Sequence, residues 1–395
     1  MTTRRLVLTR SAAVVGAASA GLLLPQIVRA QSNKVRVGLM LPYTGTFAQL
    51  GVAIENGVRM AINEKGGKLG GREIEWFKVD DESEPSKGVE NANKLVQRDK
   101  VDVLIGTVHS GVQMGIQKVV RESGTLCLIP NAGVHAATRA LCAPNVFRTS
   151  FTNSQPTLAL GKPMFDRGAK KAVWITWKYA AGDEAFEGFR DSYTKAGGTI
   201  IKELGLPFPN VEFQALLTEI ASLKPDAVAC FFAGGGAAKF IRDYAAAGLK
   251  GKIPLYGSGF LTEGVLDAAG PAADGIITTM HYSDSLDTPR NKQFRLDYAK
   301  TFRLQPDVYA VQGYDTGLLL SQGAAAVKGD LNNKAAVQKA MESAVIDSPR
   351  GKWTMSKSHN PVQDIYLRVV ENKENKVIGV AAKALADSGA GCKMA

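Results

Sequence analysis

Residues 101–131 read VDVLIGTVHSGVQMGIQKVVRESGTLCLIPN, and the pattern of this stretch sets the expectation for the whole chain. Residues 101–106 are a short apolar run, 107–111 a polar corner with Thr107, His109, Ser110 and Gly111, 112–123 an amphipathic stretch at helical spacing, and 126–129 a second apolar run. Strand, helix and strand in that order make a βαβ unit with parallel strands. A parallel sheet opens at the carboxyl ends of its strands, so the corner places a hydroxyl, an imidazole and the unbonded N–H groups of a helix start where a ligand can enter. A ligand carboxylate is the expected occupant. Capping of its own helix is the plainer use of Ser110.

The same alternation extends in both directions. Upstream, an apolar strand over 34–41 ends at Pro42 and leads through Tyr43 and Phe47 into a helix with Ile54, Val58, Ala61 and Ile62 on one face. A strand over 73–79 follows, then the acidic corner Asp80-Asp81-Glu82-Ser83. That corner lacks the further oxygen ligands and the glycine of a calcium loop, so capping of a helix near Pro85 is its expected role. Downstream, 144–150 is a polar extended passage, expected as the first crossing into a second domain. Strands are then expected over 172–177, 199–205, 227–232, 253–256 and 275–280, with helices between them, one of these over 211–222. Residues 281–284 are expected to cross back. Helices over 291–302, 308–327 and 334–344 come next, and a closing hairpin over 365–370 and 376–380. The expected fold is α/β, with two doubly wound Rossmann-like lobes and a ligand held between their polar corners.

Composition narrows the function classes. A chain of 395 residues with 45% hydrophobic and 22% charged residues is long enough for two domains, each with its own core. Residues 1–30 pair Arg4 and Arg5 ahead of an uncharged run and end on the small-x-small site Val28-Arg29-Ala30, the pattern of an export signal cleaved near Ala30. It resembles a twin-arginine signal, with Val7 where an aromatic residue is usual, and the ordinary secretory route remains open. Arg4, Arg5, Arg10 and Arg29 are its only charges, so cleavage takes the formal charge from +11 to +7. The remaining Lys and Arg are scattered without aromatic interleaving, which argues against nucleic-acid binding.

In an oxidising compartment Cys142, in a loop, and Cys392, near the tail, suit a disulfide, whereas Cys127 and Cys230 sit in apolar runs as buried free thiols. The four histidines lack metal-ligand spacing, so no metal site is expected. No catalytic residues are expected either. Gly234-Gly235-Gly236 fails the Walker spacing, no GxGxxG follows a strand, and Gly257-Ser258-Gly259 is only a fragment of a nucleophile elbow. No cofactor is implied. What remains is recognition, because Tyr43, Phe47, Trp177, Tyr179, Phe232, Phe260 and Tyr282 all fall at expected strand ends, where aromatic walls could grip an apolar ligand.

Taken together, these features resemble the type I periplasmic binding proteins of ABC importers, the branch that contains the leucine/isoleucine/valine-binding proteins. The resemblance rests on VRVGLMLPYTGTFAQLGVAIENGVRMAINEKGG at 35–67, VDVLIGTVHSGVQ at 101–113, LIPNAG at 128–133 and VQGYDTGLLL at 311–320. It implies two α/β lobes joined by three crossover segments that close like a hinged clam, with membrane permease subunits as partner, and the chain is expected to be a monomer. The implied lobes are 31–148 with 281–350, and 149–280 with 351–395.

In amino-acid-binding members a serine corner holds the ligand carboxylate, which matches Ser110. A backbone carbonyl, a threonine hydroxyl and a glutamate hold the ammonium group, and those places fall here at Ala132, Val134 and Gly259. The carbonyl is kept and the two side chains are not. An unpaired ammonium in a closed cleft costs several kcal/mol. The resemblance therefore implies the aromatic-acid branch, which takes up benzoates and phenylpropanoids. Ser110, His109, Ala132 and Gly133 anchor the carboxylate in this reading, while Tyr179, Phe232, Ser258 and Phe260 complete the cage. A branched-chain amino acid, a short amide or urea is the alternative ligand. The ending Cys392-Lys393-Met394 recurs in the aromatic-acid branch and supports the Cys142–Cys392 bridge.

Overall fold

The computed structural model describes residues 34–395, and the expected export signal over 1–30 lies outside the described residues. Strands β1 (Lys34–Leu41), β2 (Glu73–Asp80), β3 (Val103–Ile105), β4 (Leu126–Ile129) and β5 (Val146–Arg148) form one parallel sheet in the order β2-β1-β3-β4-β5. Helices α1 (Ala48–Glu64), α2 (Pro85–Asn93) and α3 (Ser110–Ser123) supply its long crossovers. Every residue of β3, β4 and β5 is buried, as expected of a sheet covered on both faces. The passage over 144–150 is not all crossing, because its middle is β5, where Val146 pairs with Cys127. The chain leaves this lobe only after Arg148.

The second lobe repeats the winding. After the short helices α4 (Ser154–Leu158) and α5 (Gly161–Asp166) come strands β6 (Lys171–Lys178), β7 (Thr199–Pro207), β8 (Ala227–Phe231), β9 (Leu255–Ser258) and β10 (Ile277–Met280). They lie parallel in the order β7-β6-β8-β9-β10, the arrangement of the first sheet. Helices α6 (Ala180–Lys195), α7 (Gln214–Leu223), α8 (Gly234–Ala246) and α9 (Leu266–Ala269) accompany them. The sheet is extended antiparallel by β12 (Pro361–Glu371), which pairs with β10, with the short β11 (Thr354–Met355) and with β13 (Glu374–Leu385). The hairpin is longer than the apolar pattern indicates, since Asn372 and Lys373 both adopt positive φ and make the tight turn that two-residue hairpins favour.

Local polar contacts explain where boundaries shift. α7 begins at Gln214 rather than 211, because the Asn210 side chain accepts from Glu212 N at 2.7 Å and holds a turn there. The acidic corner does not cap α2. Instead Asp80 accepts from Tyr43 N and Thr44 Oγ1, both at 2.8 Å, and so fixes the loop after β1.

Helices α10 (Pro289–Phe302), α11 (Val308–Ala326) and α12 (Lys334–Glu342) follow β10. α11 is buried along nearly its whole length and packs on α1, closely enough that backbone meets backbone. A Cβ on Gly57 would collide with the Ala310 carbonyl, and one on Gly313 with the Ile54 carbonyl. The chain end is fastened by a Cys142–Cys392 disulfide with a Cα separation of 5.5 Å, whereas Cys127 and Cys230 are buried and free. The α1–α11 contact yields a first expectation. Gly313→Ala should lower the unfolding free energy by about 1–3 kcal/mol, the usual penalty of overpacking, as measured by urea titration. An unchanged midpoint would mean that the helices part freely.

Candidate functional site

In each sheet the strand order reverses beside the first strand, and ligands enter such sheets at the carboxyl ends flanking that point. In the first lobe these are the ends of β1 and β3, which carry Phe47 and Ser110. In the second they are the ends of β6 and β8, which carry Tyr179 and Ala233. A cavity of about 310 Å³, counted out to its mouth, lies where the four meet.

Its lining is Phe47, Leu50, Val108, Ser110, Asn131, Gly133, Phe151, Asn153, Tyr179, Ala181, Phe231, Ala233, Phe260 and Tyr309. None of these is charged. Three helices begin at its wall: α3 at Ser110, α6 beside Ala181 and α8 beside Ala233. The starts of α6 and α8 have no side-chain cap, so their first N–H groups and the positive ends of their dipoles are left for a ligand. Such a floor favours an anion.

Ser110 is prepared as a donor. The cap of α3 is His109, whose Nδ1 accepts from Gly111 N at 3.2 Å, so the plainer use of Ser110 is taken by its neighbour. Ser110 Oγ instead accepts from Asn153 Nδ2 at 3.2 Å, which leaves its hydroxyl hydrogen to give. Asn153 is steadied in turn by a 2.8 Å bond to Glu184, a carboxyl that burial pushes up to about 7 and that does not line the cavity. Tyr309 Oη, buried at the start of α11, has no partner among the described residues. It is a second donor without an acceptor.

The other residues expected at the site are distributed more widely. Phe47, Tyr179 and Phe260 form apolar wall, and Gly133 forms floor. His109 lies just behind that wall, stacked on Tyr179 at 4.8 Å with Nε2 unpartnered among the described residues. Trp177 is fully buried, with Nε1 on the Asn210 carbonyl at 2.7 Å and its ring edge-on to Phe232. Phe232 packs on Phe213 and Phe240 inside the second lobe, and its neighbour Phe231 faces the cavity, because successive strand side chains point to opposite faces. Ser258 is buried away from the lining. Tyr43 lies outside the cavity, with Lys78 Nζ 3.7 Å from its ring centroid. Tyr282 is buried at the second crossing, where its hydroxyl meets Asn291 at 3.0 Å.

The carbonyls of Ala132 and Val134 are both engaged, accepting from Arg148 Nε at 3.0 Å and from its terminal nitrogen at 2.6 Å. At Gly259 the carbonyl accepts from Arg368 at 3.2 Å, and the same guanidinium leaves no room for a longer side chain. The Ala132 carbonyl is therefore not the open acceptor that the sequence implied.

Phe151, Asn153, Phe231 and Tyr309 complete the site without having been singled out in the sequence. Phe208, on the loop after β7, stacks near Phe47, His109, Trp177 and Tyr179 at 4.9–5.2 Å and joins the two lobes at the mouth.

Burial holds the His109 imidazole down at about 4, while the unfolded chain titrates near 6.5. Between those values the unfolded state binds more protons, so His109 makes stability fall as pH drops from 6.5 toward 4. His135, held at about 3, acts in the same direction, and Glu184, raised to about 7, in the opposite one. His109→Asn keeps a cap acceptor and should flatten the pH dependence of the urea midpoint in that window by up to about 1.4 kcal/mol per pH unit. Equal slopes in wild type and variant would mean that His109 titrates freely when folded.

The family model described as "Periplasmic binding protein" matches residues 34–375. A Leu/Ile/Val-binding protein homolog 6 of Brucella abortus (strain 2308) is 28% identical over 355 residues, 88% of this chain and 90% of that protein. Among solved structures, the solute-binding protein of an ABC transporter from R. palustris, in complex with benzoate, is 52% identical. It superposes with a TM-score of 0.89 over 91% of this chain and 99% of its own. A second, from Rhodopseudomonas palustris BisB5 in complex with 3,4-dihydroxybenzoic acid, is 30% identical with a TM-score of 0.86, covering 90% and 99%.

Proposed function

The chain belongs to the periplasmic binding protein family, and we propose that it is the receptor that hands a small aromatic carboxylate of the benzoate type to the permease of an ABC importer. Members of this family bind solutes and do not transform them. The observation that carries the ligand class is the lining itself: aromatic walls over a floor of uncharged donors, with no acidic side chain to meet an ammonium group. The benzoate-bound relative at 52% identity supports the same reading.

In this reading the ring lies among Phe47, Tyr179, Phe231 and Phe260, and Ser110 with the N–H groups of the helix starts holds the carboxylate. His109, Trp177 and Phe232 back the walls, and Tyr43, Ala132, Val134, Ser258 and Tyr282 support the loops that carry them. The lobes, 31–148 with 281–350 and 149–280 with 351–395, close about the crossings. The chain works as a monomer in the periplasm after cleavage near Ala30.

An α-amino acid fits this floor poorly. The lining offers its ammonium neutral acceptors and no carboxylate, and the Ala132 and Gly259 carbonyls behind it already accept from guanidinium groups.

A thermal-shift comparison on protein stripped of ligand tests the proposal. Benzoate at about 100 times its dissociation constant should stabilise the protein by about 2.7 kcal/mol and raise the midpoint by several degrees, while leucine and valine leave it in place. A rise with leucine and none with benzoate would overturn the ligand class. For the anchor, Ser110→Ala should weaken benzoate binding by about 1–3 kcal/mol with an unchanged unliganded midpoint, the loss of one donor to a charged acceptor. Full affinity in that variant would move the carboxylate to another part of the cavity.

A further inference from the structure

Arg148 is the last residue of β5 and is fully buried. Its guanidinium is spent on neutral acceptors: the carbonyls of Ala132 and Val134, Thr138 Oγ1 at 2.7 Å and Asn360 Oδ1 at 2.8 Å. Among the described residues no carboxylate lies within 4 Å of it. The nearby Asp387 is paired with Arg139 at 2.7 Å, and the other interior arginines, Arg350 and Arg368, have Asp315 and Glu263 in contact. Desolvation draws its pKa down to about 10 against the pull of Asp387 and Glu184, neither of which pairs with it at contact distance, and this still leaves it protonated at neutral pH. Arg148 is thus an interior cation without a counter-ion at contact distance, one loop away from the cavity floor.

The loop between them is oriented by this contact. In a trans peptide the N–H points opposite to the C=O, and the bonds on either side of Gly133 are trans. With the Ala132 carbonyl on Arg148, the Gly133 N–H is turned away from the guanidinium, on the side where Gly133 lines the cavity. The Gly133 carbonyl is itself occupied by Asn153 N at 2.8 Å, so the N–H of Val134 is turned away from that contact in the same manner. Neither N–H has an acceptor among the described residues. All three carbonyls of the loop are occupied, and what it offers is donors.

We propose that Arg148 is the positioning residue that makes this site select an anion: it holds the carbonyls of Ala132 and Val134 away from the ligand, and its charge, which has no ion-pair partner at contact distance, acts through the loop on the carboxylate. This rests on the aromatic-carboxylate reading above and specifies how that reading is enforced without a cation in the lining. A neutral ligand of the same shape gains the donors and not the charge, and a ligand with an ammonium group is repelled by both.

The test uses benzoate and benzamide, which share ring and outline and differ in charge, titrated calorimetrically at pH 7.5 into stripped wild type, Arg148→Met and Asn360→Asp. Asn360→Asp keeps the shape of every side chain and puts a carboxylate beside Arg148, which neutralises it in place. Wild type should prefer benzoate by about a hundredfold. Each variant should lose about tenfold or more in benzoate affinity, while benzamide shifts by less than about threefold.

If both ligands weaken by one common factor in the variants, or if the preference for benzoate is unaltered, Arg148 is only structural and the proposal falls. If wild type binds no benzoate, the ligand class itself falls, which is a different outcome from a wild type that binds it and variants that keep its preference. Should Arg148→Met fail to fold, Asn360→Asp decides alone.

Discussion

A parallel strand can be followed by its parallel neighbour only if the chain crosses back over a face of the sheet, and this requirement governs everything at the site. Each crossover helix must begin where its strand ends, so the unbonded N–H groups of the helix starts collect along one edge. Two sheets of the same winding, set edge to edge, bring α3 together with α6 and α8 around one cavity. The positive ends of three dipoles then converge without any charged side chain in the lining. The close α1–α11 contact sets the remaining geometry, because α1 starts just after Phe47 and α11 starts at Val308, one residue before Tyr309. Both reach the cavity from helices that could not approach so closely with side chains at Gly57 and Gly313.

Much of this arrangement can be read from the sequence, and the portions that cannot have physical causes. The alternation of apolar runs and helical spacing identifies both sheets, because burial on two faces leaves continuous apolar strands. It also places Ser110, Phe47, Tyr179 and Phe260 at strand ends, where position along the chain fixes position at the edge. Strand parity is harder to read. Phe231 and Phe232 are equally apolar, and only the register of β8 against β6 and β9 decides which one faces the cavity. Tyr309, Phe151 and Asn153 are brought in by a returning helix and by a crossing segment, so no local pattern marks them. The polar passage around β5 hides a three-residue strand for the same reason, since its pairing with β4 is set by partners rather than by its own periodicity.

The carbonyl at the place where amino-acid-binding relatives accept an ammonium illustrates how the interior changes the meaning of a backbone position. Every residue has a carbonyl, so Ala132 reads in sequence as an acceptor still available. Its availability depends on Arg148, sixteen residues later, whose guanidinium fork takes two carbonyls of one loop at once. A lysine could deliver charge there but not this bidentate orientation. The orientation of the loop behind the cavity floor therefore resides in a residue that does not line the cavity.

Closure bears on affinity as much as the floor does. Arg350 accepts no ligand role, but its guanidinium binds the carbonyls of Thr149 and Ser150 on the first crossing while lying 2.9 Å from Asp315 on α11. It ties the first crossing to α11. Across the mouth, Phe47 meets Trp177 and Phe208, and His109 meets Tyr179 and Phe208. Aromatic contacts of this kind each contribute about 0.5–1.5 kcal/mol beyond the area they bury, so these rings strengthen the contact between the lobes at the mouth. Apparent affinity is the intrinsic affinity scaled by the fraction of molecules able to bind. A cavity lined with neutral donors gains less from contact with an anion than one built on an ion pair, so the apolar contact of the surrounding rings carries more of the weight. The aromatic cluster at the mouth and the uncharged floor are thus complementary parts of one cavity, the first joining the lobes over it and the second presenting donors without a charged side chain.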